Sequence, residues 1–124
     1  MGIRRDDALP LVNSILEGIF EKQGENIVKI DLRALDNAVC SYFVICHARS
    51  TTQVDSIAEA VEFRVKKNTG EKPDHIEGVE NCLWVLMDYG NVVIHIFQEE
   101  QRNFYRLEEL WADGEIEFVE DKNK

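Results

Sequence analysis

A chain of 124 residues with 24 acidic and 14 basic side chains, net charge −10 with neutral histidines, has the size of one domain with a core of its own and is repelled by phosphate backbones. No apolar run approaches the roughly 20 residues that span a bilayer, and the first residues hold no secretory-type apolar stretch. Met1-Gly2-Ile3-Arg4-Arg5-Asp6 puts Asp where a myristoylation signal needs Ser or Thr, so a cytoplasmic protein is expected, with a basic protein rather than nucleic acid or membrane as its partner.

Leu9, Val12, Ile15, Leu16, Ile19 and Phe20 recur at helical spacing and predict an amphipathic helix over about Asp7–Gln23. Asp6 and Asp7 stand near its start, Pro10 in its first turn and Gly24 just past its end. Val28, Ile30 and Leu32 then alternate with Lys29 and Asp31, a strand over about Asn26–Leu32, and Asp36-Asn37 marks a loop. The unbroken apolar run Tyr42-Phe43-Val44-Ile45-Cys46 belongs at the centre of a sheet, covered on both faces.

Ser50 or Thr51 opens a second helix whose stripe is Val54, Ile57, Ala58, Val61 and Val65, closed by Gly70 and Pro73. A strand followed by a helix that returns to a strand points to a right-handed α/β crossover. His75-Ile76-Glu77 reads as a short edge strand. After it, two β-branched and aromatic runs from Leu83 to Phe97 flank Gly90-Asn91, a dipeptide suited to a two-residue hairpin loop.

That loop sets Tyr89 against Val92, Asp88 against Val93, Leu86 against His95 and Trp84 against Phe97. One hairpin face carries Val85, Met87, Val92, Ile94 and Ile96; the other mixes Trp84, Leu86, Asp88, Val93, His95 and Phe97. The mixed face suggests recognition. Gln98 to Gln101 is expected to turn, Phe104, Tyr105, Leu107, Leu110 and Trp111 to ride on one third helix to about Ala112, and Gly114 to end it. Glu115 to Glu120 alternates like a weak strand ahead of a frayed tail. The sum is a single α/β domain, a mixed sheet of about five strands flanked by helices, with its core at about 7–112 and a C-terminal tail at 113–124.

Chemical signatures are scarce. No Gly-rich nucleotide loop and no nucleophile elbow occurs, and His47, His75 and His95 lack metal-ligand spacing. Cys40, Cys46 and Cys82 include no C-x-x-C pair and sit in or beside apolar runs, as buried reduced thiols do. Asp31 has no second carboxylate at D-x-D spacing, and Glu115 with Glu117 lies in the terminal segment. Catalytic residues, metal and cofactor are therefore not expected. Asp88 has two readings, a turn residue bonding amides near Gly90 or a charge at the rim of an aromatic patch. Trp84 and Phe97 can be core or interface, and His95 a packed histidine or a titrating switch.

Trp84-Val85-Leu86-Met87-Asp88-Tyr89-Gly90-Asn91-Val92-Val93-Ile94-His95-Ile96-Phe97, with Arg102-Asn103-Phe104-Tyr105-Arg106-Leu107-Glu108-Glu109-Leu110-Trp111, resembles the signature of the ribosomal silencing factor RsfS, or Iojap, family. Asp31, Ser41 to Ile45, Ser50-Thr51 with Gln53 and Val54, and Glu77-Gly78 fit as well, so the resemblance runs from about Leu11 to Trp111. It implies a nucleotidyltransferase-like α/β fold without catalytic carboxylates. It further implies a non-enzymatic factor that binds the fourteenth protein of the large ribosomal subunit and blocks the small subunit from joining, repressing translation when nutrients are scarce. Free members of the family are expected to form homodimers. Residues matching the family's partner-binding surface are Trp84, Asp88, Tyr89, His95, Phe97, Tyr105 and Trp111. Asn91 stands where the family usually has Asp, and His47-Ala48-Arg49 replaces a stretch of small residues. A nucleotide-binding enzyme and a homodimeric adaptor are the competing readings.

Overall fold

The structure of the chain, a computed structural model, describes residues 8–35, 40–110 and 113–119. In order these form α1 (Ala8–Glu21), β1 (Glu25–Asp31), β2 (Tyr42–Ala48), α2 (Thr51–Thr69), β3 (His75–Glu77), β4 (Trp84–Asp88), β5 (Val92–Gln98), α3 (Glu99–Tyr105), α4 (Leu107–Leu110) and β6 (Glu115–Val119). Six strands make one mixed sheet in the order β3-β4-β5-β2-β1-β6, in which β2 and β5 run parallel and every other neighbouring pair antiparallel. The crossover from β2 through α2 reaches β3, which runs in the same direction at the far edge.

β2 explains its own position. All seven of its residues are buried, so it can only lie inside the sheet with an apolar layer on each face. Tyr42, Val44, Cys46 and Ala48 join one layer, into which α1 and α2 set Leu11, Val12, Ile15, Ile19, Val54, Ile57, Val61 and Val65. Phe43 and Ile45 join the second, with Val28, Ile30, Leu32, Val93, Phe97 and Leu107. Ser50 caps α2 by accepting from the Gln53 amide at 3.1 Å, and Gly70 closes it in the left-handed conformation at φ 80°.

The expected elements return with three changes. The sheet has six strands rather than about five, because the short β3 and the C-terminal segment both join it, the latter as β6 along β1. Gln98 to Gln101 does not turn: Gln98 ends β5, and its side chain accepts from the Glu100 amide as α3 begins. The third helix is two short ones, broken where Arg106 takes φ 51°. That break turns Leu107 into the second layer. The Asp36-Asn37 loop, the helix start at Asp6 and Asp7, Trp111 and the tail after Val119 lie outside the described residues.

α1 and α2 approach closely at Gly18. A Cβ there would stand 2.7 Å from the Val61 Cα and 2.8 Å from its nitrogen, both backbone atoms that cannot give way. Gly18→Ala therefore forces the helices apart despite alanine's better helix propensity. It is expected to lower stability by about 1–3 kcal/mol, read as a shift of the urea unfolding midpoint.

Candidate partner-binding site

The hairpin forms in the expected register, with Trp84 opposite Phe97, Leu86 opposite His95 and Asp88 opposite Val93. The Tyr89 amide donates to the Val92 carbonyl at 2.9 Å and closes a two-residue loop of Gly90 and Asn91. Val85, Met87, Val92, Ile94 and Ile96 are all buried in the layer under α1 and α2. The other face is an aromatic tier. Trp84 stacks on Phe97 with centroids 4.9 Å apart and planes at 29°, and the Tyr105 ring of α3 lies against Trp84 at 4.7 Å. Phe104 meets Tyr105 edge-on at 5.1 Å.

Exposure grades through this tier. Phe97 and His95 are buried, Trp84 is half-buried, Tyr105 is 47% exposed and Phe104 76% exposed. Thus Phe97 and His95 support rings that a partner can reach. The Trp84 indole Nε1 donates to His95 Nδ1 at 3.1 Å, and Phe43 packs its edge against the imidazole at 4.8 Å. Because Nδ1 accepts, the neutral ring carries its proton on Nε2, which is buried without a partner among the described residues. Burial pushes the His95 pKa down from 6.5 to about 4.

Acidic side chains open both short helices. Glu99 and Glu100 occupy the first turn of α3, and Glu108 and Glu109 that of α4. The whole cover is pinned by buried Arg102, whose Nη1 donates to the Asn26 carbonyl at 2.6 Å and whose Nε donates to Glu108 at 3.0 Å.

Two of the sequence-selected residues stand apart. Asp88 is four residues along β4 from Trp84, about 13 Å at the rise of a strand. Its Oδ1 accepts from the Gly90 amide at 2.8 Å, so the turn role of its two readings is present. Tyr89 follows Val85 and Met87 onto the opposite face and is buried under the helices. Its hydroxyl has no partner among the described residues, and burial, with the Glu62 and Glu71 carboxylates nearby, pushes its pKa up. Conversely, Phe104 and Arg102 were not selected from the sequence. The spacing of Phe104 beside Tyr105 could have drawn attention to the first; no local signal marks the second as buried.

The three cysteines are free thiols, with Cys46 and Cys82 buried and Cys40 half-buried. Among the described residues no group of three or more His, Cys, Asp and Glu side chains could hold a metal ion, and no helix is long and apolar enough to cross a membrane.

Two measurements check these environments. Below pH 6.5 the unfolded chain protonates its His95 while the folded chain does not, so His95 stability is complete above pH 6.5 and is lost as pH falls to about 4. The loss amounts to about 3 kcal/mol. The stability advantage of the parent over His95→Gln, measured by urea unfolding at a series of pH values, is expected to shrink across that window. Tyr89→Phe removes a buried hydroxyl that bonds to nothing described, and is expected to leave stability unchanged or raise it by about 1 kcal/mol in thermal and urea melts.

A crystal structure of a Bacillus halodurans protein matches this fold with a TM-score of 0.72 and 32% sequence identity, covering 90% of this chain and 97% of that one. An X-ray crystal structure of a Chromobacterium violaceum protein matches with a TM-score of 0.77 and 26% identity, covering 92% and 93%. The ribosomal silencing factor RsfS of Bacillus subtilis (strain 168) is 36% identical over 96 residues, which are 77% of this chain and 80% of that protein. The model of the family described as ribosomal silencing factor during starvation matches residues 5–124. The chain belongs to the ribosomal silencing factor family.

Proposed function

We propose that this protein silences ribosomes without catalysing a reaction, by seating its aromatic tier on the fourteenth protein of the large subunit and so excluding the small subunit. The observation that carries this reading is the Trp84–Tyr105–Phe104 patch, half-exposed and held by stacking on buried Phe97. Aromatic groups of this kind, exposed on one side and fixed on the other, dominate binding energies at protein interfaces. The membership in a family of ribosomal silencing factors supplies the ribosome as target, and the net charge of −10 favours a basic protein on it. Excluding the small subunit requires occupancy alone.

Within this reading Trp84 and Tyr105 make the contact, His95 and Phe97 orient Trp84, and Asp88 acts through the shape of the turn. Tyr89 contributes to the core beneath. Free protein hides the same patch by pairing with a second copy.

A subunit-joining assay in a sucrose gradient tests the proposal. The parent protein is expected to co-sediment with large subunits and deplete joined ribosomes. Tyr105→Ala, at a half-exposed position, is expected to weaken co-sedimentation by about 30-fold, corresponding to roughly 2 kcal/mol at a hot spot, with an unchanged melting temperature. Self-association in sedimentation equilibrium should weaken with it. Normal joining in the presence of saturating parent protein, or full co-sedimentation of the folded variant, overturns the assignment.

A further inference from the structure

We propose that the outer edge of β6 is a docking site for an extended protein segment rich in lysine or arginine, which adds to the sheet as a seventh strand. β6 is the last strand and pairs only with β1, in unbroken antiparallel register from Glu115 opposite Asp31 to Val119 opposite Ile27. Its other side has no strand beside it among the described residues. Exposed edges are usually kept from pairing by brevity, proline, a bulge or charged side chains, lysine above all. The opposite edge, β3, is three residues long. β6 has five residues, no proline or lysine and no register shift against β1; its only such device is the charge of Glu115 and Glu117, which repels acidic strands and not basic ones.

Its side chains state what would fit. Ile116 and Phe118 stand opposite Ile30 and Val28, on the face of the second apolar layer, yet they are 36% and 78% exposed. Glu115 and Glu117 point to the other face, where Glu117 meets Lys29 at 3.2 Å and Glu115 has no ion pair among the described residues. An incoming strand is thus met by apolar groups on one face and carboxylates on the other. Apolar side chains alternating with basic ones answer both at once. A second copy of the chain answers them poorly, because antiparallel self-pairing centred on β6 sets Glu117 against Glu117 and brings two chains of net charge −10 together.

The edge lies four strand spacings from β4, about 19 Å across the sheet, so the proposal does not rest on the role assigned to the Trp84 patch. Its probe is a capped peptide of alternating lysine and valine, titrated into the full-length protein and followed by amide chemical shifts. Expected shifts concentrate at residues 115–119 and 27–31, and binding weakens as salt is added. Phe118→Ser and Glu115→Lys are each expected to weaken binding by up to about fivefold, the size of one cross-strand pair, without changing the melting temperature. A peptide of alternating glutamate and valine should not bind. The proposal is overturned if the lysine peptide does not bind, if the glutamate peptide binds equally, if both variants bind like the parent, or if the shifts gather between Trp84 and Phe97. Concentration-dependent dimerisation abolished by Phe118→Ser would assign the edge to a second copy and overturn it too.

Discussion

A strand buried on both faces is the constraint from which this architecture follows. β2 contributes seven consecutive buried residues, so an apolar layer is required above and below it. The chain has only two long helices among its described residues, and both pack on the same side, drawn together at Gly18. The other side must be covered by short pieces. Phe97, Phe43, Val93 and Leu107 fill it, and Trp84 closes its margin. A cover assembled this way cannot bury all of its own rings, and the exposed surfaces of Tyr105 and Phe104 are the result.

Arg102 holds that cover in place. A buried guanidinium is costly unless its donors are satisfied, and here they reach β1 through the Asn26 carbonyl, α4 through Glu108 and β2 through His47 Nδ1 at 3.1 Å. Asn26 is available because β1 shifts register between Glu25 and Val28, which leaves it outside the ladder at φ 48°. Burial, and then the Arg102 charge, hold the His47 pKa below its ordinary value. The neutral imidazole can therefore accept from the guanidinium. One side chain thus ties both short helices to two strands, and fixes where α3 places Tyr105.

The parts legible in the sequence are those governed by local periodicity. Alternation gave both hairpin faces, and the Gly90-Asn91 loop the pairing of Trp84 with Phe97; Ser50 or Thr51 and Gly70 marked the ends of α2; an unbroken apolar run placed β2 at the centre. The same alternation puts Tyr89 with Val85 and Met87, although resemblance alone grouped it with Trp84. What was not legible depends on tertiary contacts. Phe104 to Trp111 keeps helical spacing, yet Arg106 enters the left-handed region, where a non-glycine residue is uncommon. Nothing local marks Arg102 as the buried pin. The β6 alternation was readable, but its pairing along β1 supplied the open edge.

A protein that acts by occupying a surface needs slow dissociation more than chemistry, and slow dissociation favours groups already ordered before contact. The Trp84 ring meets that condition, since its stacking on Phe97 and its bond to His95 limit the rotamers that binding would otherwise have to freeze. The same bond explains why His95 suits this place better than a purely apolar residue. It satisfies the indole donor on its buried side and leaves the outer face of the aromatic tier apolar. In the proposed binding mode two tasks separate: the net charge of −10 steers the encounter with a basic surface, and the ordered rings prolong the contact once made.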